Sequence, residues 1–286
     1  MAESEKVYSF LNDFLFKLVF GKKSHEHLTI RLLNSLLQLD KNNEIKELEF
    51  LNPFNEKDYK DDKISIVDTR VKDASGKFYN IEMQARKEKS FTKRFAYYIA
   101  KMYSNQLDNN EKYDSLNPAI GIALLGFNLY ENSKEIDEVF TFKNKNSEIL
   151  LLDIMQMHFI NLSKPINKPL SEMTRFEKWV NFLYNSKKYA KPGTKLPSEY
   201  ESEEYMKEAI DYAQKANSDR NLREIMRDRE RFLIDQRLDR AESYQEGRFD
   251  EKSDMIKAML SNGATKETIL KLTGISEIEF NQIINS

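Results

Sequence analysis

Two runs rich in apolar and β-branched residues flank the tripeptide Ala74-Ser75-Gly76 in ISIVDTRVKDASGKFYNIEMQ, residues 64–84. This pattern commits the chain to a β-hairpin. Gly supplies the left-handed position that a three-residue hairpin loop favours. With that loop Asp73 faces Lys77, and stepping outward along both strands brings Asp68 opposite Glu82. Acids are depleted in strand interiors, and like charges directly opposed destabilise a sheet because their Cβ atoms lie about 5 Å apart. Two explanations are open. Either the acids stand on a solvated face with Arg70 or Lys72 beside them, or they are buried and share a cation. Ile64 and Ile66 stand on the face of Asp68, which favours a buried strand.

If a cation is shared, the strand supplies its ligands. Gln84 follows Glu82 on the same face, and Met83 points the other way with its backbone carbonyl at the site edge. Two carboxylates, an amide oxygen and a carbonyl are hard donors that suit Mg²⁺ or Mn²⁺ rather than zinc. The chain has no Cys, so disulfides, thiolate metal sites and a cysteine nucleophile are excluded. His25 and His27, two apart, do not share a helix face and make a poor ligand pair. They read as surface residues, and His158 reads as a core residue.

Around the hairpin the periodicities alternate. Residues 12–39 carry apolar residues at three- and four-residue spacing and read as two helical segments broken near Gly21, with Asn12 and Asp13 opening the first. Residues 47–52 form a short strand, and residues 55–63 a charged loop. Phe91, Phe95, Tyr98, Ile99 and Met102 make a helical stripe that packs on a sheet. Residues 117–127, NPAIGIALLGF, read as a strand buried on both faces, and EVFTFKNK and EILLLDIMQMHFINL add further strand. The order places residues 1–165 in the α/β class. Residues 166–250 are charged and helical, with a thin apolar stripe (Met206, Ile210, Ala213, Leu222, Ile225) that suits docking or oligomerisation. Residues 251–286 read as three short helices, broken at Asn262-Gly263 and Gly274. They read either as a small bundle for self-association or as a helix-turn-helix reading DNA.

Of the 286 residues 40% are hydrophobic and 32% charged, the balance of a folded chain with a charged helical surface. The longest apolar run falls short of the roughly 18 residues needed to span a membrane, and MAESEKVYSF lacks the pattern of a leader. A cytoplasmic protein is expected. The net charge of -2 gives no global attraction for nucleic acid. Locally, however, Arg86, Lys87, Lys89, Lys93 and Arg94 outnumber Glu88 directly after the hairpin, a patch that would follow a phosphate backbone. The aromatic residues among them, Phe91 and Phe95 above all, read as core.

An Asp in one strand followed by Glu-x-Gln in the next resembles the PD-(D/E)XK nuclease motif. NDFLFKLVFG, the hairpin, RFAYYIAKMYSNQL and the tail EGRFDEKSDMIKAMLSNGATKETILKLTGISEIEF together resemble the Rpn family of recombination-promoting nucleases, or putative transposases. The resemblance implies a restriction-endonuclease-like αβββαβ core with a helical C-terminal extension. It also implies a Mg²⁺- or Mn²⁺-dependent DNA endonuclease linked to recombination or mobile elements. By the same resemblance Asp68 and Glu82 are metal ligands, Gln84 takes the place of the motif Lys, Asp13 is a further ligand or supports one, and Lys63 and Gln106 are supporting residues. Gln orients a water but cannot act as a general base, so activation falls to the metal. If Gln84 instead marks lost catalysis, the chain is a nucleic-acid-binding or protein-interaction module on a nuclease fold. A double-strand cut needs two active sites, which together with the long charged helices suggests a homodimer.

Overall fold

The computed structural model describes residues 6–52, 68–108, 111–145, 149–150 and 154–285. Lys63, Ile64 and Ile66, which bear on the hairpin reading, lie outside these residues. The chain falls into two compact units, Met1–Arg229 and Glu230–Ser286.

In the first unit the opening helix, α1 (Asp13–Phe20), is buried all round. Such a helix has no solvent face and takes its stability from packing. The Asn12 side chain caps it by accepting from Leu15 N–H, and the helix ends at Gly21. Helix α2 (Glu26–Leu36) follows after one turn of 3₁₀ helix. The strands β1 (Leu48–Phe50), β2 (Asp68–Asp73), β3 (Phe78–Gln84), β4 (Ala119–Leu125), β5 (Asp137–Thr141) and β6 (Met155–Asn161) form one sheet in the order β1-β2-β3-β4-β6-β5. β1, β2 and β3 are antiparallel neighbours, whereas β4 lies parallel to both β3 and β6. A parallel pair needs a crossover, and helix α3 (Phe91–Ser104) provides it. Helix, three strands, helix and parallel strand are the expected αβββαβ core.

The sheet has a hydrophobic layer on each face. Tyr79, Ile81 and Met83 of β3 and Ile120, Ile122 and Leu124 of β4 pack with α1 and α2 and with Trp179 and Phe182 of α4 (Arg175–Asn185) and Ile210 of α5 (Glu204–Ser218). On the other face Phe91, Phe95 and Ile99 of α3 pack on Ala119, Ala123, Leu125 and Phe159. With both faces covered, every residue of β4 is buried. Full burial of a side chain of this size contributes about 1.5–3 kcal/mol, which makes this sandwich the main stabiliser of the unit. The distance between α3 and the sheet is set at Gly121, where an added Cβ would come within 2.7 Å of Ile99 and Phe95.

Two features depart from the sequence reading. The stripe Met206, Ile210 and Ala213 docks, but onto this chain's own core, so the first unit runs on to Arg229. His25 is buried rather than on the surface. Its Nδ1 lies 2.9 Å from the Val19 carbonyl and its ring stacks on Tyr212 with centroids 4.0 Å apart, and burial holds its pKa below the usual value. His27 is exposed and pairs with Glu208 at 2.8 Å, and His158 is buried against Asp137 at 2.7 Å.

Helix α6 (Arg220–Ser261) begins in the first unit. In the second unit α7 (Lys266–Thr273) and α8 (Glu277–Asn285) gather Ile256, Ile269, Ile275, Phe280 and Ile283 into a small separate core. Gly274 ends α7 in the left-handed conformation, at φ 69°.

Candidate functional site

The hairpin turn forms as its residues require. Gly76 adopts φ 91°, and Asp73 N–H donates to Lys77 O at 3.0 Å. The register follows from the turn, with Asp68 paired to Glu82, Thr69 to Ile81 and Arg70 to Asn80. Residues 80, 82 and 84 alternate with the core residues Tyr79, Ile81 and Met83, so Asn80, Glu82 and Gln84 stand in a row on the α3 side of the sheet with Asp68 opposite Glu82. All four are buried, Asp68 at 7% and Glu82 at 3% exposure. A washed hairpin face is therefore ruled out, although Arg70 does sit where that reading placed it.

Each acid meets a guanidinium. Arg70 Nε donates to Asp68 Oδ2 at 2.7 Å. Arg94, on α3, donates from Nη2 to Glu82 Oε1 at 3.0 Å and from Nη1 to Glu88 Oε2 at 2.8 Å. Gln84 Oε1 lies 3.4 Å from the same Nη2, and Gln84 Nε2 donates to Arg86 O at 2.9 Å. Among the described residues two guanidiniums thus face three carboxylates. The second oxygen of Glu82, Oε2, is buried without a hydrogen-bond partner among the described residues, and so are both amide atoms of Asn80. A buried, unpaired carboxylate oxygen is costly. Burial pushes the Glu82 carboxyl above its usual range and Arg94 only partly opposes this.

The backbone at Asp68 is held with equal care. Its carbonyl accepts from Lys17 Nζ and from Asn52 Nδ2, and Asn52 Oδ1 accepts from Arg70 N–H at 2.7 Å. Lys17 is fully buried on α1. Its pKa falls from 10.5 to about 8, chiefly through burial, with Asp68 and Asp13 opposing the shift and Arg70 assisting it. Between these values the folded chain binds fewer protons than the unfolded one, so stability rises with pH across the window. Relative to Lys17→Met, the protein is expected to gain on the order of 2 kcal/mol between pH 8 and pH 10.5, measured by urea denaturation. Parallel curves for the two proteins would overturn this.

The remaining candidates separate. Asp13 is not gathered with Asp68 and Glu82. Its Oδ2 accepts from Arg229 Nε at 2.9 Å and Nη2 at 2.7 Å, and both residues are buried. Gln106 lies at the turn end of the hairpin, far along the strands from the acids. It clasps the backbone of Asn117 with two 2.8 Å bonds, and the Asn117 side chain abuts Gly76. Arg86, Lys87, Lys89 and Lys93 are exposed, with Lys87 loosely paired to Glu131 at 3.7 Å. Arg94 alone among the five turns inward. Lys17, Asn52, Asn80 and Arg229 were not singled out from the sequence. Lys17 carried a signal, as the one cation in an otherwise apolar turn of helix, and Asn80 another, in phase with Glu82 and Gln84.

Among the described residues no three His, Cys, Asp or Glu side chains converge on one point. The pair Asp68 and Glu82, with the unpartnered Oε2 and the excess of carboxylates over guanidiniums, still fits a hard divalent cation completed by the Met83 carbonyl and water.

A family model described as PD-(D/E)XK nuclease family transposase matches residues 10–242. The chain belongs to this family. No curated protein and no solved structure matches the chain. The PD-(D/E)XK match runs from before α1 to part-way along α6 and takes in Asp13, Lys17, Asp68, Glu82, Gln84, Arg94 and Arg229. Nucleases of the PD-(D/E)XK family generally use divalent metal ions. No described helix is long and apolar enough to cross a membrane.

Proposed function

We propose that the protein is a Mg²⁺- or Mn²⁺-dependent DNA endonuclease of the cytoplasm that hydrolyses phosphodiester bonds in recombination or the movement of mobile elements. The observation that carries this reading is the opposition of Asp68 and Glu82 across the hairpin, with Glu82 Oε2 buried and without a partner among the described residues. Asp68, Glu82 and the Met83 carbonyl would hold the ion. When bound it supplies Lewis-acid polarisation of the phosphate, a more acidic water and charge neutralisation. The chain's own residues do the rest. Lys17 and Asn52 fix the backbone that presents Asp68, and burial under α3 keeps bulk water from Glu82. Gln84 can orient the attacking water through its amide, and Arg86, Lys87, Lys89 and Lys93 present exposed positive charge to the strand. In the reaction a water oxygen bonds to phosphorus, the P–O ester bond breaks, and the departing oxygen takes up a proton.

The second reading is a DNA-binding module without catalysis, favoured by Gln84 in the place of the motif Lys. Incubation of supercoiled and linear DNA with the protein in Mg²⁺, Mn²⁺ or EDTA decides between them. Cleavage that requires the metal is expected, and DNA retention without cutting in either metal would favour the module. A homodimer is part of the proposal, and sedimentation of the full chain with and without DNA tests it.

A further inference from the structure

β3 carries no cation at position 84, but a guanidinium from a different element stands beside it. In the motif a lysine two residues after the acid would place its ammonium beside that acid, on the same face of the strand. Here Gln84 carries no charge, but the Nη2 of Arg94 lies 3.0 Å from Glu82 Oε1 and 3.4 Å from Gln84 Oε1. The guanidinium therefore lies beside the end of the side chain at position 84. It is also placed to be reached from outside. The Arg94 side chain is 31% exposed, whereas that of Glu82 is 4% exposed, so Arg94 is the more accessible member of its pair with Glu82. Glu88 holds the other arm of the fork, which fixes the plane of the guanidinium without another residue of the acid pair. Glu82 divides its oxygens accordingly, with Oε1 on Arg94 and Oε2 unpartnered. Holding Arg94 and receiving a second cation are therefore compatible on one carboxylate.

Resting on the nuclease reading above, we propose that Arg94 is a catalytic residue that takes over the charge of the motif lysine, contacting the scissile phosphate and stabilising the negative charge that grows on it. A guanidinium has five N–H donors in a planar array, so Arg94 keeps donors for a phosphate beyond the two given to Glu82 and Glu88. No proton transfer is assigned to it, since guanidinium stays protonated. Stabilisation of developing charge by a single aimed donor is typically worth about 100- to 1,000-fold in rate.

A charge-relocation experiment tests this. Arg94→Gln is expected to lower the cleavage rate constant by about 100-fold or more, and the double variant Arg94→Gln/Gln84→Lys, which returns a cation to the strand, to recover at least about tenfold of that loss. Because a lysine at position 84 would also pair with Glu82, rescue counts as catalytic where Arg94→Gln itself melts like wild type. Binding is read separately, by fluorescence anisotropy with a short duplex in EDTA, where Arg94→Gln should reduce the salt slope by about one and the double variant restore it. Arg94→Lys, which keeps a charge and a hydrogen bond to Glu82, guards against misfolding and should retain more activity than Arg94→Gln. The proposal is overturned if Arg94→Gln cuts within about threefold of wild type, or if the double variant is no faster than Arg94→Gln although both melt like wild type. Wild-type protein that binds DNA with the expected slope change but never cuts would sink the nuclease reading and the catalytic part of this one, while retaining Arg94 as a phosphate contact.

Discussion

Glu82→Ala and Asp68→Ala are each expected to lower metal-dependent DNA cleavage by on the order of a thousand-fold, equivalent to about 4 kcal/mol of transition-state stabilisation. Each removes one of the two carboxylates that would hold the ion. Calorimetric titration with Mn²⁺ should show binding to wild type and none to either variant. Stability is expected to move the other way at Glu82. A carboxyl whose folded pKa lies above its unfolded value contributes stability below the unfolded value, and loses that contribution as pH rises through the folded one. Burial raises the Glu82 pKa above 4.5, with Arg94 only partly opposing it. The raised pKa is therefore a cost to the fold at neutral pH, and Glu82→Gln should melt at or above the wild-type temperature at pH 7, with the difference shrinking towards pH 4. Loss of activity with unchanged or higher stability marks a residue retained for function. A Glu82→Gln protein that melts well below wild type at pH 7, or an alanine variant that still cuts at the wild-type rate, would refute the assignment.

Asp13→Ala and Arg229→Met are each expected to destabilise the first unit by about 3–5 kcal/mol, because either breaks a buried ion pair from one side. The two bonds at 2.9 and 2.7 Å tie α1 to the start of α6 across 216 positions of sequence. The double variant Asp13→Leu/Arg229→Met buries no charge and should recover most of the loss, as read by urea denaturation. This experiment also separates the two roles open to Asp13. As the partner of Arg229 its loss costs stability and leaves Mn²⁺ affinity within about twofold. As a metal ligand, the role that the family resemblance implies, its loss would cut the affinity at little cost in stability.

What was legible in the sequence was local. The turn at Gly76 sets the hairpin register and period-two alternation sets the face, so the pairing of Asp68 with Glu82 is legible in the sequence alone. The α/β class was readable for the same reason, since each element shows its periodicity within its own length, whereas the αβββαβ core was what the family resemblance implied. Residues that meet across the fold were not readable. Nothing near Asp13 announces Arg229, and nothing near Gln84 says that Arg94, one of five neighbouring cations, would be the one to turn inward. The stripe on α5 was read as a docking face, and it is one. Its partner is this chain's own core, because a surface helix pattern does not say which apolar surface it covers. His25 misled for a similar reason, as burial at a helix start depends on α5 arriving above it.

Gly121 has a reach beyond its own strand. It contributes no polar atom and stands on β4, yet the clearance it leaves for Ile99 and Phe95 fixes how low α3 rides. Arg94 sits on that same helix, one turn or less from Phe95. The guanidinium's 3.0 Å approach to Glu82 is therefore a tolerance set by a missing methyl group. An alanine there would act as a shim under the helix, lifting Arg94 from the acid while leaving every charged residue in place. The alignment of charges in this site is in part a matter of machining, and its reference surface is apolar.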